Sequence, residues 1–369
     1  MNRRSFLATP VLAGMAPAAY AETADRRVIA SGDGIPHSPE EFSTLLQKRS
    51  AGIKPDSYSI GGVVAQLEAQ VATALGKESA VWLPTGTLAN HLAVRLLAGE
   101  KRRVLVQQEC HLYNDCCDCC QTLSGLHLVP LAAGKATFTL QEVENEAARG
   151  ASGRVSVPIG AIQVETPVRR KTGEAFDLAE MKRITHWARE RRIGLHLDGA
   201  RLFLAAAYSG VPVREYAAGF DTVYISMYKY FNAASGAVLA GPKSLLENRF
   251  HTRRMFGGGL SHVWPFAAVA LHYFDGFSER YSQAVATSER VIAALQSDKR
   301  FAVTRVPNGT NIFYLRVNGV SAQQFHKSAQ DAGLTLPAPQ DGQFALSVNE
   351  TWNRATPEEV FGRFRKGLG

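Results

Sequence analysis

An α/β fold is predicted, with a large domain built on a central mixed, mostly parallel sheet and a small C-terminal α+β domain. Three observations predict it. Short apolar runs alternate with segments of helical periodicity from residue 80 to 240. Two of those runs lead into residues with distinctive chemistry, the acid Asp198 and the lysine Lys229. The alternation stops after Trp264, where a long helical stretch and several shorter strand-like runs take over.

The chain has 369 residues, 46% hydrophobic and 20% charged, enough for a sizeable core and more than one minimal domain. A formal net charge of +8 raises a nucleic-acid reading. The basic clusters at 101–103, 169–171 and 189–192 are scattered, however, with acids nearby or on helix surfaces. They read as solvated faces, so no nucleic-acid partner is expected.

The elements follow in order. Arg3-Arg4 with Ser5-Phe6-Leu7 resembles a twin-arginine motif; a mildly apolar run to Ala19 and the small residues Ala19 and Ala21 complete an export signal over residues 1–21. The run is too short to span a membrane, so no stable membrane anchor is expected; the implied location is the periplasm, reached folded. Residues 22–58 form an N-terminal arm, with a helix predicted over 39–48. The large domain covers 59–264. It opens on a helix over 63–75, with Val64, Leu67, Val71 and Leu75 on one face. Strands are predicted at 80–83, 104–106, 126–130, 161–165, 193–198, 222–226 and 237–240, with helices such as 178–192 between them. Residues 265–369 contain one long helix over 266–295 and then the small domain, with strands at 301–306, 311–317 and 343–348 and a helix at 322–332. A last helix begins at Thr356-Pro357, a capping residue followed by proline at the first helical position.

All five cysteines fall in one segment: Cys110, Cys116, Cys117, Cys119 and Cys120. Helical spacing would put Cys116 on one face with Cys120, and likewise with Cys119, while adjacent cysteines point apart. No second Cys/His cluster completes a tetrahedral site, so they read as small residues packing a helix behind the site, with no metal expected.

The chemistry lies at the strand ends. Thr85-Gly86-Thr87 follows a strand and opens a helix, where backbone N–H groups, hydroxyls and the helix N-terminus favour a phosphate. Asp198 closes a buried run, and its carboxylate needs a partner; a protonated pyridine nitrogen supplies one, a helix N-cap being the alternative. Arg201 either meets the cofactor's phenolic oxygen or pairs with Asp198. Lys229 sits among Tyr224, Tyr228, Tyr230 and Phe231, where burial favours the neutral amine that attacks an aldehyde. Ser226 can reach the phosphate. His111 is a candidate for the ring that covers the pyridine face, or a structural histidine. Phosphate, pyridine and aldehyde together define pyridoxal 5'-phosphate.

With these residues in place, the chain resembles the threonine aldolase and β-eliminating lyase family of fold-type-I, aminotransferase-like, pyridoxal-phosphate enzymes. The resemblance rests on residues 76–78 and 83–90, 196–203, Lys229 with Gly236, and 255–259. It implies Lys229 as the lysine bonded to the cofactor, Asp198 on the pyridine nitrogen, Arg201 near the ring oxygen, Gly86 and Thr87 on phosphate and His111 stacked on the ring. It also implies a homodimer or homotetramer. The implied reaction is retro-aldol cleavage of a β-hydroxy-α-amino acid to glycine and an aldehyde, with His111 as candidate base for the β-hydroxyl and Lys229 as the other catalytic residue. The rivals are β-elimination, an aminotransferase or racemase on the same fold, and an exported cofactor-binding protein with little turnover. Three departures bear on the substrate: Tyr230-Phe231-Asn232 replaces a Gly-Leu-Gly stretch, Thr166-Pro167-Val168 lacks a histidine, and Leu260-Ser261-His262 stands where an arginine is usual. Arg169, Arg170 and Arg354 are the candidates for holding the substrate carboxylate.

Overall fold

The computed structural model describes residues 26–247 and 249–369. The expected export signal, residues 1–21, lies outside the described residues. No helix among the described residues is long and apolar enough to cross a membrane.

The strands are β1 (Val28–Ile29), β2 (Ser79–Leu83), β3 (Arg103–Gln107), β4 (His127–Leu131), β5 (Ile159–Glu165), β6 (Gly194–Asp198), β7 (Thr222–Ser226), β8 (Ala237–Gly241), β9 (Phe301–Arg305), β10 (Ile312–Val317), β11 (Leu334–Thr335) and β12 (Gln343–Ser347). Seven of them form one sheet in the order β2-β8-β7-β6-β5-β3-β4, and β8 alone runs antiparallel to its neighbours. The inner strands β5, β7 and β8 are buried along their whole length, as expected for a sheet covered on both faces. Helix Gly62–Leu75 buries Val64, Leu67, Val71 and Leu75 as its periodicity requires. Helix Gly86–Ala98 lies across the central strands. The C-terminal ends of β5, β6 and β7 therefore open on one crevice, which the turn after β2 also reaches.

The small sheet, β12-β10-β9, is antiparallel and encloses a second core around Phe325, Phe344, Trp352 and Phe364. β1 pairs in parallel with β11, so the N-terminal arm crosses to the C-terminal part of the chain. The helix predicted over 266–295 is two helices, Trp264–Phe274 and Phe277–Ser297. Gly276, at φ 62°, takes a left-handed turn between them that an L side chain resists. The cysteine segment also departs from expectation. Cys117 and Asp118 both have positive φ, so the next helix starts only at Cys119 and the cysteines share no single face. Cys110, Cys116 and Cys120 pack into a local core with Val94, Val104, Val106 and Leu128, whereas Cys117 is exposed.

Candidate active site

The turn after β2 delivers Thr85, Gly86 and Thr87. Thr85 Oγ1 accepts from Leu88 N at 3.1 Å and caps helix Gly86–Ala98, which leaves its own hydroxyl hydrogen to donate. At Gly86 an added Cβ would overlap the Tyr224 hydroxyl, so only glycine lets the loop lie this close to β7. Ser226, at the end of β7, is fully buried, and its Oγ lacks a hydrogen bond of acceptable geometry although the Tyr224 hydroxyl is beside it. The Thr87 side chain is 3.8 Å from Cys116 Sγ. An unused buried hydroxyl and a cradle that a Cβ would fill suit a phosphate ester at a helix N-terminus.

Asp198 ends β6 with 1% of its surface exposed. Its Oδ2 accepts from Asn90 Nδ2 at 2.6 Å, and its Oδ1 from Ala200 N at 3.1 Å. Arg201 does not pair with Asp198. Its Nε donates to Asp33 Oδ2 at 2.8 Å, an aspartate of the N-terminal arm. The arm is too distant in sequence for this pairing to show in any local pattern. Asp33 also lies 3.4 Å from Asn311 Nδ2.

Lys229 follows β7 on a turn anchored by Tyr230 and Phe231, which sink into an aromatic cluster with Phe203 and Phe277. These aromatics occupy the place of the flexible Gly-Leu-Gly stretch. The Lys229 ammonium lies 5.2 Å from the Tyr228 ring centre. Burial first, and the Arg201 guanidinium second, push its pKa down to about 8. Asn232 Oδ1 accepts from Ile35 N at 2.8 Å and ties the arm to this turn.

His111 N donates to Glu165 Oε2 at 2.5 Å, and His111 Nδ1 is 3.3 Å from Cys116 Sγ. Glu165, at the end of β5, also accepts from Arg169 N at 2.9 Å. Burial, and then the neighbouring Asp198, hold the Glu165 carboxyl above the usual carboxylate range. His111, Glu165, Arg169, Asp198, Arg201, Tyr224 and Lys229 thus line one small recess. It opens into a cleft of about 1130 Å³ walled on its far side by residues 31–39 of the arm. Of the three candidate anchors, Arg169 lines the cleft. Arg170 turns to Asp115, at 2.9 Å, with Arg169 at 3.5 Å from the same carboxylate, and Arg354 donates to Arg27 O at 3.2 Å.

The structure therefore brings Thr85, Gly86, Thr87, His111, Asp198, Arg201, Ser226 and Lys229 to one place at the strand ends. The donor set fits pyridoxal phosphate: an anion cradle, a carboxylate for the pyridine nitrogen and a lysine shifted toward its neutral form. Sequence reasoning missed Asp33 and the roles of Asn90 and Glu165. Asn90 carried a signal, since it stands one helical turn after Gly86 and so shares its face.

Among the known proteins that this chain resembles are the following three. The low specificity L-threonine aldolase of Saccharomyces cerevisiae is 31% identical over 56% of this chain, and the chain spans 53%, about half, of that curated relative's length. A solved structure from Exiguobacterium sp. 255-15, provisionally assigned as an aromatic amino acid β-eliminating lyase/threonine aldolase, superposes with a TM-score of 0.74 at 26% identity over 94% of this chain and 98% of that one. A second, from Listeria monocytogenes EGD-E and provisionally assigned as an L-allo-threonine aldolase, gives 0.74 at 26% identity over 94% and 97%. The fold is accordingly the expected aminotransferase-like one. Residues 47–318 match the sequence profile headed β-eliminating lyase, and with that span and this sheet the chain belongs to the β-eliminating lyase family.

Proposed function

We propose that the protein is a pyridoxal-phosphate-dependent carbon–carbon lyase that cleaves a β-hydroxy-α-amino acid, in the manner of a threonine aldolase, to glycine and an aldehyde. The observation that carries this is the convergence of Lys229, Asp198 and His111 on one pocket whose mouth also holds Arg169. The bound cofactor supplies an electron sink for the pair released when a bond at the substrate Cα breaks. Lys229 would hold the cofactor through its aldehyde carbon. Asp198 keeps the pyridine nitrogen protonated. Gly86, Thr87 and Ser226 hold the phosphate, and Thr85 orders their loop.

Arg169 would receive the substrate carboxylate and thereby set how the substrate lies against the cofactor. With the substrate so held, His111 would take the β-hydroxyl proton as the aldehyde leaves. If Lys229 instead removed the Cα proton and a β-substituent left, the products would be ammonia and an oxo acid. That second reading is kept because the matching profile is that of β-eliminating lyases.

The test supplies the purified, cofactor-loaded protein with L-threonine, L-allo-threonine and L-serine. Glycine with acetaldehyde supports the aldolase reading; ammonia with an oxo acid supports elimination; neither, from a protein that holds the cofactor, points to a binding protein. Arg169→Leu should raise KM and also lower kcat, since it removes the group that orients the bond to be cleaved.

Two further parts of the proposal rest on other residues. Tyr58, Ile60 and Leu260 expose apolar surface and are tied together, since Tyr58 N donates to Ser261 O at 2.8 Å. A second copy covering this patch is consistent with the homodimer or homotetramer of the family resemblance, and light scattering would read the assembly. The Arg3-Arg4 motif supports export to the periplasm; replacing both with lysine should retain the protein in the cytoplasm.

A further inference from the structure

We infer that Asn90, His196 and Thr222 form a one-way hydrogen-bond line that holds the Asp198 carboxylate correctly turned to keep a pyridine nitrogen protonated, an inference that rests on the cofactor reading above. All four side chains are fully buried. An ionised carboxylate only accepts, so Asn90 must present Nδ2 to it, at 2.6 Å. That fixes Asn90 Oδ1 toward His196 Nε2, 2.8 Å away, and makes Nε2 the protonated ring nitrogen. Burial pushes the His196 pKa down to about 4, so the ring is neutral and Nδ1 can only accept. The Thr222 hydroxyl, 2.8 Å from Nδ1, is then its donor. Turning the Asn90 amide over would set its carbonyl against the carboxylate. Each donor has one acceptor, and the polarity of the whole line follows from the charge on Asp198.

The fold explains why the line is straight. His196 and Asp198 are alternate residues of β6 and face the same side of the sheet. Thr222 is the register partner of His196 on β7. Asn90 comes from above, on helix Gly86–Ala98, one turn beyond the phosphate loop. One helix therefore sets both ends of the cofactor: its N-terminus faces the phosphate, and its second turn steers the acid that meets the ring nitrogen. Ala200 N supplies the second donor to Asp198, which leaves the carboxylate no freedom to rotate. His111, Glu165, Arg169, Arg201, Tyr224 and Lys229 line the same pocket, and Cys110 and Cys116 also lie close enough to feel its charge. Asn90 and His196 are positioning residues; they touch Asp198 or act through it, not the substrate.

The experiment loads the full chain with pyridoxal phosphate labelled with 15N in the ring and reads the nitrogen's chemical shift, which separates the protonated from the free ring. Wild type should show the protonated shift. His196→Leu should move it toward the unprotonated value and weaken cofactor binding about tenfold, the size of one hydrogen bond in the line. His196→Gln, which keeps an N–H directed at Asn90 Oδ1, should restore both. A merely structural histidine would lower the melting temperature without moving the shift, and a His196→Leu protein with wild-type shift and affinity overturns the inference. If that variant does not fold, the near-isosteric Thr222→Val decides: it should move the shift in the same direction, Thr222→Ser should not, and no movement in Thr222→Val overturns the inference. A folded wild-type protein that takes up no label ends the cofactor reading itself, an outcome distinct from the others.

Discussion

Lys229 shows how a single residue acquires its chemistry from its surroundings. With its pKa pushed down to about 8 from 10.5, roughly a tenth of the amine is neutral at pH 7, far more than for a solvated lysine. The rate at which the cofactor-free protein captures pyridoxal phosphate should therefore climb as pH rises through about 8 and level off above it; a stopped-flow absorbance series at fixed cofactor checks this. The same shift acts on stability. Between about 8 and 10.5 the unfolded lysine binds a proton that the folded one does not, so this group's contribution to the stability of the cofactor-free protein rises with pH across that window. Lys229→Ala should abolish both effects. Gly86 makes the complementary point, because there it is the missing side chain that matters. Gly86→Ala would drive a methyl group into the buried Tyr224 hydroxyl and should cost about 1–3 kcal/mol in chemical denaturation, with weaker cofactor binding.

At the scale of elements, the helices are set by their termini as much as by their faces. Helix Gly86–Ala98 is held at its start by Thr85, which keeps the phosphate loop in register with the Asn90 contact to Asp198. Helices Trp264–Phe274 and Phe277–Ser297 are separated by the left-handed Gly276; the first packs into the large core, and the second joins that core through Phe277 and Tyr281 before running into the small one through Val291, Ile292 and Leu295. Gly276→Ala should cost about 1–2 kcal/mol, the usual penalty for an L residue in that conformation, read as a lower denaturation midpoint with an unchanged slope. The cysteine segment follows the same logic. Two residues of positive φ end helical spacing before Cys119, so periodicity alone misplaced these side chains.

At the scale of the whole molecule, the N-terminal arm joins the parts that make the site. β1 adds to the small domain at β11, Asp33 pairs with Arg201 of the large domain, and Gly34 lies against the turn that carries Lys229. An added Cβ at Gly34 would overlap the Lys229 carbonyl oxygen and the Asn232 side chain, and a backbone oxygen cannot move aside. Gly34→Ala should therefore lift the arm from the cleft, which limited proteolysis would detect as faster cleavage between residues 31 and 39, with slower cofactor capture.

What the sequence by itself determined was the order of strands and helices, the large sheet and the residues at its strand ends. Each of those is written locally: an apolar run before Asp198, another before Lys229, a Thr-Gly-Thr turn opening a helix, and alternation or helical period in between. Gly276 was also a legible break, hidden because the apolar pattern continued on either side of it. Only the tertiary structure decided which partner each polar group took. Arg201 reaches Asp33 rather than Asp198, Arg169 rather than Arg170 lines the cleft, and Asn90 and His196 align on Asp198. The reason is physical. A buried charge or amide must be satisfied by whatever donor or acceptor the packed strands and helices bring within about 3 Å, and that depends on sheet order and helix crossing, which no local pattern encodes.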